Sequence, residues 1–209
     1  MIKVNVNKIS QETNNVNIVA VSKRKSVQLI KDAIDAGIKI IGENQIQEAQ
    51  QKYNELKDYF KQNNVEFHFI GHLQTNKVKK AVLMFDLIQT VDSIKLANEI
   101  NKRALKINKI QDILIQINIG NEIQKYGIKK EEIFDFLKEI KQLKNINVKG
   151  LMCIHPYEKD PKPYFKEMKT IFDQTKLEIL SMGMSSDYKL AIEEGSNMVR
   201  IGTKIFGDR

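Results

Sequence analysis

Two hydrophobic periods alternate along this chain from one end to the other. Ile18–Val21 is a short, continuous apolar run, and Ser22, Lys23, Arg24 and Lys25 break it. Bounded runs of this length read as buried strands. In SVQLIKDAIDAG the apolar residues Val27, Ile30, Ala33 and Ile34 return at helical spacing, and Gly37 stops the pattern. The succession then repeats. Further strands are predicted at Lys39–Gly42, Glu66–Ile70, Leu87–Val91, Ile113–Ile119, Val148–Ile154, Leu180–Met184 and Met198–Ile201. Helices are predicted from Gln45 to Phe60, in NKVKKAVLMF, in IKLANEINKRAL behind an Asp92 or Ser93 cap, in KKEEIFDFLKEIKQL, after Pro161 and Pro163, and in DYKLAIEEG.

Strand–helix alternation implies an α/β protein with a parallel sheet. About eight such units favour a closed (β/α)8 TIM-type barrel over an open doubly wound sheet. A chain of 209 residues is short for that barrel, so its helices and loops must be trimmed. The open sheet is the runner-up, but the chain carries neither the dinucleotide GxGxxG pattern nor a P-loop. No low-complexity linker or break in composition divides the chain, so residues 1–209 are read as one domain.

Composition narrows the function classes. An apolar fraction of 42% with 29% charged residues is that of a soluble globular protein. The opening MIKVNVNKIS has no apolar signal core, and no run approaches a membrane span, so a cytoplasmic protein is expected. The single cysteine, Cys153, excludes an intrachain disulfide framework and a cysteine-based zinc cluster. The formal net charge of +8 favours an anionic partner, whether a phosphorylated ligand or nucleic acid. Its basic residues are dispersed among acidic ones, and no aromatic-rich basic patch supports nucleic-acid binding.

Barrels of this type carry their active sites at the C-terminal ends of the strands. Polar and glycine residues collect at those ends here. They are Lys23; Glu43 and Asn44; Gly71, His72, Gln74, Asn76 and Lys77; Asn118 and Gly120; His155; Ser185 and Ser186; and Gly202 and Thr203. The last two strands are the most informative, because such barrels often bind phosphate there. Gly202 would allow close backbone approach, while Ser185 and Thr203 would supply hydroxyls. The competing reading is that Gly202 only permits a turn and that the hydroxyls cap helices.

Lys23, placed across the mouth from this cradle, could form a Schiff base with an aldehyde. The common cofactor that is both an aldehyde and a phosphate ester is pyridoxal 5′-phosphate. Arg200, two residues before Gly202, can share its side of the strand and face the pyridine ring. A guanidinium cannot accept a proton, so it would leave the ring nitrogen unprotonated and weaken the electron sink.

The segments AVSKRKS, IIGENQIQE, FHFIGHLQTNK, INIGNEIQKYGI, GLMCIH and SMGMSSDYKLAIEEGSNMVRIGTKIFG together resemble the pyridoxal phosphate homeostasis protein family, from Ile18 to Gly207 and in the same order. The resemblance implies a single barrel similar to the N-terminal domain of alanine racemase. It implies that Lys23 holds the cofactor, that Ser185, Gly202 and Thr203 bind its phosphate, that Arg200 faces the pyridine nitrogen and that Asn44 lies beside the cofactor. Met152 and Met182 are candidates for packing near its ring, with plain core packing preferred. The chain departs from the family's usual form in its short N-terminal segment, in His72 where proline is expected, and in the INIGNE and CIHPYEKDP loops.

Racemisation in the related enzymes uses a second acid/base on an additional domain. This chain ends at Arg209, directly after strand eight, so that domain is expected to be missing. The resulting expectation is a cofactor-binding protein rather than an enzyme. It would regulate pyridoxal phosphate supply and amino-acid balance, and the resemblance implies transfer to apo pyridoxal-phosphate-dependent enzymes. The rival is a weak racemase in which Tyr126 or His155 supplies the base. His68, His72 and His155 fit no metal-ligand spacing; His68 is expected to be hydrogen-bonded in place, and Cys153 to be a small buried residue.

Overall fold

The computed structural model describes every residue except Asn15, Glu158, Asp208 and Arg209. The predicted C-terminal limit at Arg209 therefore lies outside the described residues. Eight parallel strands close into a barrel in sequence order: β1 (Asn17–Val21), β2 (Ile40–Glu43), β3 (Glu66–Phe69), β4 (Leu87–Val91), β5 (Gln111–Ile117), β6 (Ile146–Cys153), β7 (Ile179–Met184) and β8 (Met198–Ile201). The ring is sealed by β1, which pairs with both neighbours: Val19 is in register with Ile40 on one side and Arg200 on the other. The closed barrel replaces the open sheet that the sequence left as runner-up.

Strand alternation sorts the core into two layers. Val19, Ile40, Leu87, Leu114, Met152 and Met198 form a small cluster inside the barrel. Their neighbours Ala20, Ile41, Ile88, Ile113, Leu151 and Val199 face outward and pack beneath the helices. Phe67 stacks on Phe85 in this outer layer, with ring centroids 4.6 Å apart. The helices around the barrel are α2 (Val27–Asp35), α3 (Ile46–Asn63), α4 (Val78–Met84), α5 (Ile94–Leu105), α6 (Ile133–Ile140), α7 (Lys162–Thr175) and α8 (Tyr188–Glu193). Ser26 and Ser93 cap α2 and α5, accepting hydrogen bonds from the Leu29 and Leu96 amides.

Two helices were not read from the sequence. Helix α1 (Ile2–Thr13) precedes the barrel, and its buried residues Val6, Ile9 and Thr13 lie at helical spacing. The alternation of Ile2, Val4 and Val6 hides this pattern, because Val4 is exposed. Asn5 donates to the Ile205 carbonyl at 3.0 Å, joining α1 to the short terminal helix α9 (Thr203–Phe206). Elsewhere the differences lie at boundaries. β5 stops at Ile117 because Asn118 folds back, donating to the Glu122 carbonyl at 2.8 Å and accepting from the Glu122 amide at 3.1 Å. Lys130–Glu132 form a 3-10 turn before α6 rather than its first turn.

Candidate functional site

The C-terminal ends of β1, β7 and β8 surround a cavity of about 840 Å³ lined by Val21, Lys23, Met184, Ser185, Ser186, Arg200, Gly202 and Thr203, among others. Five of the six residues proposed from the sequence are thus brought together. Closure corrects one expectation: β1 is the neighbour of β8, so Lys23 stands beside the Gly202 turn rather than across the mouth from it.

Lys23 occupies the turn that leaves β1, where the Lys25 amide donates to the Ser22 carbonyl at 3.0 Å. Among the described residues its amine makes no hydrogen bond or ion pair, whereas Lys25 donates to the Gly207 carbonyl at 3.0 Å. Lys23, half-buried, lines the cavity with its amine not committed to a partner among the described residues.

The two competing readings of the Ser185, Gly202 and Thr203 group can now be compared. Gly202 has a φ of −112°, outside the left-handed region that demands glycine. A Cβ there would meet only Val21, at 3.5 Å, an ordinary contact. Neither the turn nor the packing explains the glycine, and the missing side chain leaves open space at the mouth. The Gly202 amide donates to Ser185 Oγ at 3.2 Å, a bond that joins the β7 and β8 loops. Neither α8 nor α9 has a side-chain cap, so Ser185 and Thr203 do not cap these helices.

Arg200 is buried below these loops. Its Nη1 donates to Ser181 Oγ at 2.7 Å and its Nη2 to the Cys153 carbonyl at 2.8 Å. Desolvation holds the guanidinium below its ordinary pKa, yet an arginine stays charged in a protein. The polar contacts continue inward: Ser181 donates to Gln89 Oε1 at 2.7 Å, Gln89 Nε2 lies 3.1 Å from His68 Nδ1, and His68 Nε2 lies 2.8 Å from Glu66 Oε2. This chain crosses the barrel interior. Ser181 and Gln89 were missed in the sequence, although Gln89, a polar residue within the apolar strand LIQTV, was the available signal.

Asn44 lies outside the cavity lining, packed against Gly71, where a Cβ would come within 2.1 Å of the Asn44 carbonyl oxygen. Its Oδ1 is buried without a hydrogen-bond partner among the described residues. Met182 faces the helix layer and Met152 the small interior cluster, so both serve the core. Cys153 is fully buried, and desolvation pushes its thiol up to about 12. His155 Nδ1 lies 2.7 Å from the Pro156 carbonyl and Nε2 2.9 Å from Asp187 Oδ2. Both ring nitrogens lie within hydrogen-bond distance of oxygen atoms. Tyr126 is stacked on His72, with centroids 3.6 Å apart, and is not among the residues lining the Lys23 cavity.

Comparison with known proteins places this geometry in context. The family described as alanine racemase, N-terminal domain, matches residues 1–209. A pyridoxal phosphate homeostasis protein of Aquifex aeolicus is 42% identical over 92% of this chain and 86% of its own length. The structure of PipY from Synechococcus elongatus, solved with PLP bound, superposes with a TM-score of 0.88 at 32% identity, covering 99% of this chain and all of that one. An alanine racemase of Clostridium difficile shares the fold, with a TM-score of 0.78 at 17% identity over all of this chain and 56% of that one.

Proposed function

This chain belongs to the pyridoxal phosphate homeostasis protein family, and we propose that it binds pyridoxal 5′-phosphate at the barrel mouth and serves cofactor and amino-acid homeostasis without turnover. The observation that carries this reading is the convergence of Lys23, Ser185, Gly202 and Arg200 on one cavity. Such a cofactor supplies an aldehyde that condenses with a primary amine, releasing water, and a phosphate monoester that is dianionic or nearly so at neutral pH.

The residues fit that group. Lys23 is the attachment point, because it lines the cavity with its amine uncommitted among the described residues. Ser185 and Thr203 provide hydroxyls, and Gly202, whose amide donates to Ser185 Oγ, has no Cβ to keep phosphate oxygens from the backbone. Arg200 offers the ring donors only and cannot take up a proton from it. Asn44, outside the cavity lining, has a buried Oδ1 without a hydrogen-bond partner among the described residues and is kept as a proposed member of the set.

The reading as a holder of cofactor rests on what is near the cavity. His155 has both nitrogens committed to oxygens, and Tyr126 is held against His72. Neither of these two residues lines the cavity that holds Lys23; Tyr157 does, and it is the side chain to test for that role. The protein would shield a reactive aldehyde and release it to apo-enzymes that use the cofactor, in a cytoplasmic setting. Among the described residues no helix is long and apolar enough to cross a membrane.

The test is borohydride reduction of the purified protein loaded with pyridoxal 5′-phosphate, followed by peptide mapping. The expected adduct is on Lys23. An adduct on Lys25, Lys77 or Lys204 instead would defeat the assignment, and absence of any cofactor absorbance band after loading would defeat the function.

A further inference from the structure

A second lysine lies close behind the first. Lys52, on α3, is 7% exposed. Its ammonium donates to the Ser22 carbonyl at 2.6 Å, to Glu43 Oε1 at 2.6 Å and to Glu48 Oε1 at 2.7 Å. An ammonium has three donors, and all three are used. Lys52 therefore does not compete with Lys23 as a nucleophile.

Its partners converge on the turn that carries Lys23. Ser22 and Arg24 flank that lysine on either side. The Ser22 carbonyl receives Lys52 directly, and Ser22 Oγ donates to the same Glu43 oxygen at 2.5 Å. The Arg24 amide donates at 2.5 Å to the same Glu48 oxygen that Lys52 holds. Arg24 has a φ of 59°, in the left-handed region that non-glycine side chains disfavour. Such a conformation persists only where surrounding contacts over-determine it. Here those contacts are Glu48 on its amide and the Ser22–Lys25 turn bond on its far side.

On the reading that Lys23 is the attachment point, we propose that Lys52 is a positioning residue for it: through Ser22, Glu43 and Glu48, its buried ammonium fixes the backbone on both sides of Lys23 and so aims the Lys23 amine into the mouth. A buried ion pair that merely docked α3 on the barrel would have no reason to share its acceptors with both neighbours of one loop residue. Glu43 points away from the barrel interior toward α3, and its other oxygen has no partner among the described residues, so its one bonded oxygen is committed to this clamp.

The experiment separates attachment from phosphate binding with two probes. Pyridoxal 5′-phosphate can bind covalently. Pyridoxine 5′-phosphate has the same ring and phosphate but an alcohol in place of the aldehyde, so it binds through non-covalent contacts alone. Affinities for both are measured on the full chain, together with the fraction of Lys23 trapped by borohydride at a fixed time. In Lys52→Met, pyridoxal 5′-phosphate should bind at least tenfold more weakly and trapping should fall, with pyridoxine 5′-phosphate changed less than twofold. Glu48→Ala, which removes the link to the Arg24 amide at a partly exposed site, should show the same selective loss at about threefold or more, and it carries the test if Lys52→Met does not fold. Equal loss of both probes would mean that the cluster only supports the pocket wall, and unchanged binding of both would remove any role; either result overturns the proposal. Wild-type protein that binds neither probe would instead defeat the cofactor reading itself.

Discussion

The amide of Gly202 donates a hydrogen bond to the hydroxyl of Ser185, 3.2 Å away, and this contact joins the loops after β7 and β8 at the barrel mouth. A phosphate placed there would take up donors from both loops. A hydrogen bond to a charged group contributes about 1.5–3 kcal/mol. Ser185→Ala and Thr203→Ala should each weaken pyridoxal 5′-phosphate binding by roughly 10-fold to 150-fold, at about 1.4 kcal/mol per decade. Cofactor titration beside a urea melt of the apo protein checks this. Unchanged affinity in both variants would place the phosphate elsewhere.

Two glycines near the mouth should respond in opposite ways. A Cβ at Gly202 meets nothing closer than 3.5 Å, so Gly202→Ala should alter apo stability little, within about 0.5 kcal/mol. It should nevertheless reduce cofactor affinity, because the methyl fills space the phosphate needs. A Cβ at Gly71 would come within 2.1 Å of the Asn44 carbonyl oxygen, which is backbone and cannot swing aside. Gly71→Ala should destabilise the apo protein by about 1–3 kcal/mol, the usual range for overpacking. Paired denaturant melts and titrations distinguish the two, and a destabilised Gly202→Ala would undo the contrast.

The far end of the polar chain carries a pH signature. The hydrogen bond from His68 holds the Glu66 carboxyl below its ordinary value of 4.5, against the opposing effect of its partial burial. A carboxyl whose folded pKa is depressed adds stability that is present above its unfolded pKa and is lost as pH falls through the folded one. Wild-type protein should therefore lose more stability than Glu66→Gln as the pH is lowered from about 5 through the acid side of Glu66's titration. Urea midpoints measured at several pH values test this, and parallel curves for the two proteins would show that Glu66 contributes no such linkage.

Loaded protein should not turn over amino acids. His155 has both ring nitrogens within hydrogen-bond distance of oxygens, and Tyr126 lies outside the cavity lining, which leaves Tyr157, a lining residue, as the side chain whose action this prediction excludes. Exchange of the α-hydrogen of added amino acids with deuterated solvent, followed by mass spectrometry, should stay far below roughly 1 s⁻¹, the low end of ordinary enzyme rates. Exchange at that rate or above would make the protein an enzyme.

The alternation of short apolar runs with helical patterns was enough to determine eight strands and the seven helices between them, and β4 and β8 lie where the runs place them. Burial is the reason: a strand covered on both faces is apolar along most of its length, and that is visible in one dimension. The residue types at the strand ends, Lys23, Ser185, Arg200, Gly202 and Thr203, were likewise legible, because strand ends in a barrel of this kind share one face. Helix α1 was not, since exposed Val4 gives its sequence a strand-like alternation. Closure decided that Lys23 and Gly202 line the same cavity, since β1 pairs with β8, a relation between residues far apart in the chain that no local pattern encodes. Tertiary structure alone also decided which polar residues are buried. Lys52 looks like any lysine on a helix, and Gln89 stands out only as a polar residue in an apolar strand, with nothing to name its partners. Only the packing of α3 on the barrel and the pairing of strands around a common interior bring their partners within hydrogen-bond distance and make burying them tolerable.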